Sequence, residues 1–192
     1  MMPAVFRRAA IAGLLACGFF APARAQDVAA KAAICAACHG AAGKPANAAI
    51  PVIWGQNEGY LYLELRDYKS GARANPVMSA IAATLERQDM FDLAAWFAAK
   101  AWPRLGQPSA PPEAVALAEG ANNGLVCTSC HLEHWQGDSA VPHIAGQSRD
   151  YLRATLTAFR NGSRANNPGM TSMLKTVSES DLDALAQFLA GM

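Results

Sequence analysis

Apolar residues recur three and four apart in four stretches of the chain, and the four stretches form two pairs. Between Glu58 and Lys69 the apolar face is Tyr60, Leu61, Leu65 and Tyr68, and Tyr151, Leu152, Leu156 and Phe159 repeat it. Between Asp89 and Ala99 it is Met90, Leu93, Ala94 and Phe97; between Asp181 and Ala190 it is Leu182, Leu185, Ala186 and Leu189. This spacing predicts four helices, each burying one side. Gly71 and Gly162 stand just beyond the first pair as stops. Ser178 is placed to cap the last helix, with Asp181 reaching back to it. Alanine-rich stretches at Ala29–Ile34 and Glu113–Asn122 predict two more helices. No stretch makes a convincing strand, so the expected fold is all-α.

The pairing extends beyond the helices. Cys35, Cys38, His39, Met78 and Asp89 each recur 92 residues later, at Cys127, Cys130, His131, Met170 and Asp181. Such self-similarity marks an internal repeat. Ile50–Gln56 answers to Val141–Gln147, and Ser70–Asn75 to Asn161–Asn166, at a step of 91. The step returns to 92 at Pro76 and Pro168, with Asn167 read as the residue gained. His to Met therefore stays at 39 residues in both halves, as a pair of ligands to one iron requires.

The repeated Cys-x-x-Cys-His, at Cys35–His39 and Cys127–His131, reads as a c-type haem attachment site. Its two thiols bond the haem vinyl groups and its histidine ligates iron. A single Cys pair also suits zinc or a redox dithiol; two copies with matched downstream sequence favour two covalently bound haem c groups.

With these motifs in place, the repeat resembles the class I, His/Met-ligated cytochromes c, and specifically the dihaem cytochrome c4 type. The likeness runs through both CxxCH motifs, the Pro-x-Ile-x-Gly-Gln stretch, Tyr-Leu, Ser/Asn-Gly-x-Arg, the Met segments and the closing helices. Trp54, and Glu86 in place of Ser178, are its departures. The resemblance implies two tandem domains, each wrapped around one haem. Cys35, Cys38, Cys127 and Cys130 would hold the haems, with His39 and Met78, and His131 and Met170, as axial ligands. Pro51 and Pro142 would supply the carbonyls that orient the two histidines. Met78 is expected on an extended loop after Asn75-Pro76-Val77. Met90 belongs to the last helix's apolar face, while Met173 and Met192 break the interval. His134 and His143 are read as surface or loop histidines, and the tryptophans as packing.

Composition changes this picture only at the ends and in the charge. Arg7-Arg8, an apolar run from Ala9 to Phe20 and Ala23-Arg24-Ala25 make a secretory signal with cleavage expected after Ala25. Cys17 leaves with that leader, so no thiol remains for a disulfide and haem takes the place of the staple that small domains need. The expected division is a signal peptide over 1–25, domain 1 over 26–100, a proline-rich linker over 101–112 and domain 2 over 113–192. The full chain has 16 basic and 15 acidic residues; after the leader 13 and 15 remain. Divided near Pro108, the mature halves carry 8 basic and 7 acidic residues against 5 and 8. Nothing in that balance suits nucleic acid. The excess negative charge of the second half stabilises oxidised iron, which puts its haem at the lower potential at equal burial.

The expected function is electron transfer rather than catalysis, in the periplasm and with loose membrane association allowed. The resemblance implies relay from a quinol-oxidising complex to a terminal oxidase. The alternative is the dihaem electron-accepting subunit of a periplasmic dehydrogenase, for example a flavocytochrome that oxidises sulfide.

Overall fold

The computed structural model describes residues 23–118 and 127–192, so most of the expected leader lies outside the described residues. Among these residues every regular element is a helix, and one isolated bridge pairs Asp138 with Val141. The first half contains α1 (Ala23–His39), α2 (Glu58–Ser70), α3 (Pro76–Ala83) and α4 (Arg87–Ala98). The second contains α5 (Pro112–Ala118), α6 (Thr128–His131), α7 (Arg149–Asn161), α8 (Pro168–Leu174) and α9 (Glu179–Ala190). Helix α1 is longer than the expected Ala29–Ile34 and carries the whole first CxxCH motif. Helix α5 is the start of the expected Glu113–Asn122 helix, whose remainder lies outside the described residues.

Each half is built the same way: α4 packs on α1 and α2, and α9 on α5 and α7, with α3 and α8 laid on α2 and α7. The apolar faces read from the sequence meet there. Met90, Leu93, Ala94 and Phe97 of α4 are buried with Leu61 of α2. Leu182, Leu185, Ala186 and Leu189 of α9 are buried with Leu152, Leu156 and Phe159 of α7. Full burial of such a side chain contributes about 1.5–3 kcal/mol. Gly71 and Gly162 close α2 and α7 in the left-handed conformation, at φ 80° and 78°, which costs glycine nothing. At the start of α9, Asp181 N–H donates to Ser178 Oγ at 3.1 Å; at the start of α4, Glu86 N–H donates to Asp89 Oδ2 at 2.9 Å.

The Met segments differ from expectation. Met78 lies in the first turn of α3, not on an extended loop, and Met170 lies in the first turn of α8. Proline at the first helical position has no N–H to satisfy and a φ already suited to the helix. The preceding asparagine caps it: Asn75 Oδ1 accepts from Val77 N and Met78 N at 3.1 and 3.0 Å, and Asn167 Oδ1 from Met170 N at 3.0 Å. The caps make Asn167, not Asn166, the counterpart of Asn75, so Asn166 is the residue gained. Asn75→Ala is expected to cost about 1 kcal/mol, seen as a lower urea midpoint with unchanged slope.

The coil after α4 runs over the second half. Trp102 stacks on His143 with ring centroids 3.9 Å apart. Gln107 Nε2 donates to Gln147 O at 2.9 Å, and its Oε1 accepts from Arg149 N at 2.9 Å. The halves themselves meet through equivalent surfaces. Tyr60 N–H donates to Ser139 O at 2.9 Å and Tyr151 N–H to Ala48 O at 3.2 Å, the same contact exchanged at the 91-residue step.

Candidate haem centres

Helix α1 delivers Cys35, Cys38 and His39 to one end of the first half, and α6 with the residue before it delivers Cys127, Cys130 and His131 to the second. All four cysteines are free thiols, Cys38 and Cys130 exposed. Burial pushes the thiols of Cys35 and Cys127 above their ordinary range. His39 and His131 are buried, and burial draws both imidazoles below the usual histidine range against a smaller opposing effect of one hydrogen bond each.

That hydrogen bond is the same in both halves. His39 Nδ1 lies 2.9 Å from Pro51 O, and His131 Nδ1 3.1 Å from Pro142 O. A carbonyl can only accept, so each Nδ1 carries the proton and each Nε2 is left with its lone pair. This is the state an iron-ligating histidine adopts.

The two histidines open on one continuous cavity of about 1070 Å³, lined by Cys35, Cys38, His39 and Met78 of the first half and Cys127, Cys130, His131 and Met170 of the second. Met173, one turn from Met170, also faces it, whereas Met90 is buried in the core and Met192 is exposed. Three of the four exposed large apolar side chains among the described residues are Ile34, Val77 and Leu132. They adjoin Cys35, Met78 and His131, where an apolar group bound to the motifs would cover surface that water now meets. Donor set, tautomer and apolar walls thus fit a haem in each half.

Between the two motifs the cavity wall carries a buried polar cluster. Glu64 accepts from Arg73 through Oε2 and from Arg164 through Oε1, both at 2.5 Å. Arg73 also donates to the Tyr151 hydroxyl at 3.2 Å and Arg164 to the Tyr60 hydroxyl at 3.3 Å, each across the boundary. Asn166 Nδ2 donates to Asp67 Oδ2 at 2.8 Å. Arg73 and Arg164, and Tyr60 and Tyr151, are repeat equivalents, but Glu64 answers to Thr155 and Asp67 to Ala158. The cluster is therefore symmetric in its cations and tyrosines and one-sided in its carboxylates. Sequence reading missed Glu64 and Asp67, because on a helix they look like solvated charge.

His134 is exposed, as expected. His143 is a loop histidine, half-buried between the halves against Trp102.

A family model described as Cytochrome c matches residues 118–192. Cytochrome c4 of Pseudomonas aeruginosa is 34% identical over 175 residues, covering 85% of this chain and 86% of that protein. The chain belongs to the cytochrome c4 family. A thiosulfate dehydrogenase electron acceptor of Stutzerimonas stutzeri (strain A1501) is 37% identical over 169 residues, covering 82% of this chain and 78% of that one. The solved structure of reduced cytochrome c4 from Pseudomonas stutzeri superposes with a TM-score of 0.76 at 28% identity, over 88% of this chain and 98% of that one. The chain is thus a dihaem c-type electron-transfer protein: an all-α pair of class I cytochrome c domains with covalently bound haem c.

Proposed function

We propose that this protein is an exported electron relay, receiving an electron in one domain and passing it on from the other. Bound haem supplies the one-electron chemistry; the chain fixes the ligands, keeps water from the iron and presents the domains to partners. In this reading Cys35 and Cys38 hold one haem, with His39 and Met78 on its iron. Cys127 and Cys130 hold the other, with His131 and Met170. Pro51 and Pro142 orient the histidines. The reading rests on one observation above all, the repeated contact from histidine Nδ1 to a proline carbonyl, made in both halves beside a CxxCH motif.

The periplasm is the compartment proposed, reached through the leader cleaved after Ala25. No helix among the described residues is long and apolar enough to cross a membrane. The partners proposed are a quinol-oxidising complex as donor and a terminal oxidase as acceptor. A second reading is favoured by the 37% identity to a thiosulfate dehydrogenase electron acceptor: the chain would take electrons from a periplasmic dehydrogenase without catalysing the oxidation itself.

The two readings separate on gel filtration of the native periplasmic fraction, followed by reduction assays. A relay elutes at its own size and is reduced by quinol-oxidising membranes. Elution with a second chain, and reduction by thiosulfate only in that chain's presence, overturns the oxidase pathway in favour of the subunit.

A further inference from the structure

Gln56 and Gln147 occupy equivalent places in the repeat, and each side chain leaves its own half to close two hydrogen bonds on a single residue of the other. Gln147 Nε2 donates to Val52 O at 3.0 Å while Val52 N–H donates to Gln147 Oε1 at 2.8 Å. Gln56 Nε2 donates to His143 O at 2.8 Å while His143 N–H donates to Gln56 Oε1 at 2.7 Å. The amide orientations are fixed, because a backbone N–H can only donate and each Oε1 also accepts the N–H of the next residue. Those bonds are Ser148 N at 2.9 Å and Asn57 N at 2.8 Å. Both glutamines are almost wholly enclosed, at 3% and 2% exposure.

The residues they clasp are decisive. The N–H of Val52 and the C=O of Pro51 belong to one planar peptide unit, and that C=O is the acceptor of His39 Nδ1. The N–H of His143 and the C=O of Pro142 form the equivalent unit, and its oxygen accepts from His131 Nδ1. An unbroken chain of hydrogen bonds thus runs from Gln147 in the second half, through peptide 51–52, to His39 in the first. Its mirror runs from Gln56, through peptide 142–143, to His131.

We propose that each glutamine tunes the haem of the opposite domain, Gln147 acting through the 51–52 peptide on His39 and Gln56 through the 142–143 peptide on His131. They are positioning residues and touch neither iron nor haem. A peptide whose N–H is bound to a buried amide oxygen is polarised, and its carbonyl becomes the stronger acceptor. A stronger acceptor at Nδ1–H makes the imidazole the more electron-rich ligand, which favours oxidised iron and lowers the potential. Loss of a glutamine therefore raises the potential of the haem across the interface and spares the haem of its own half. The inference rests on the proposed ligation by His39 and His131.

The test uses the holoprotein with Gln147→Leu and, separately, Gln56→Leu, each haem's midpoint being followed with its partner marked by Met170→Ala or Met78→Ala. Gln147→Leu is expected to raise the midpoint of the Cys35/Cys38 haem and leave that of the Cys127/Cys130 haem in place; Gln56→Leu is expected to do the reverse. The proton resonance of His39 Nδ1–H should move with Gln147→Leu alone. A shift confined to the mutated residue's own half, an equal shift at both haems, or no shift overturns the proposal, since loosening of the interface has no reason to act crosswise. Where Gln147→Leu does not fold, Gln147→Asn, too short to reach Val52, carries the same expectations. His39→Ala separates the two levels of inference. If the first haem keeps its axial ligation in that variant, the ligand reading fails. If ligation is lost there yet Gln147→Leu moves nothing, the cross-domain tuning alone fails.

Discussion

Met78→Ala is expected to open one of the two irons to added ligands and to abolish half of the sulfur-to-iron absorption of the oxidised protein, leaving the other half untouched. Met170→Ala should do the same to the other iron. Methionine opposite histidine raises the potential of a haem, so each variant should also lower the midpoint of its own haem. The decisive comparison is with neighbouring methionines. Met90 is buried among the α4 core residues, so Met90→Ala should cost about 2–5 kcal/mol of stability with the absorption intact. Met173 lines the cavity one turn beyond Met170 and is the real rival in the second half. Loss of absorption in Met173→Ala with retention in Met170→Ala would reassign that ligand and break the 39-residue interval.

Glu64→Leu is expected to destabilise the protein by about 3–5 kcal/mol, the usual cost of removing one partner from a buried ion pair. The magnitude follows from what is left behind. The Glu64, Arg73 and Arg164 side chains are 12%, 11% and 7% exposed, so two guanidiniums from opposite halves would share an interior without the carboxylate that bridges them. Thr155→Ala, at the equivalent site in the second half, should cost no more than about 1 kcal/mol. Urea midpoints at unchanged slope measure both. A cost below about 1 kcal/mol for Glu64→Leu would mean that other carboxylates, those of the haems, carry the pairing.

Much of this was legible in the chain, and the reason is physical in each case. Covalent haem attachment needs two thiols and a histidine at fixed spacing, so Cys35–His39 and Cys127–His131 announce themselves. Helices of twelve and thirteen residues repeat their apolar face often enough to be seen, as α2, α4, α7 and α9 do. Helices α3 and α8, of eight and seven residues, complete too few turns for periodicity, and the Asn-Pro before each reads equally as a loop. Asn166 and Asn167 are chemically identical in sequence; only the cap on α8 shows which one is extra. The contacts between domains were the least legible. Gln147 and Val52 lie 95 residues apart, and nothing local to either marks them as partners. Glu64 and Asp67 lie on a helix that faces solvent until the second half covers it, and His143 becomes an interface residue for the same reason.

The central claim is two covalent haems on one chain, and the mass of the denatured mature protein tests it most directly. Denaturation releases a haem held only by axial ligands and spares one bonded through thioether links. The expected mass is that of residues 26–192 plus two haems, falling by one haem in Cys127→Ala/Cys130→Ala. A mass corresponding to one haem or none in the unaltered protein would contradict it.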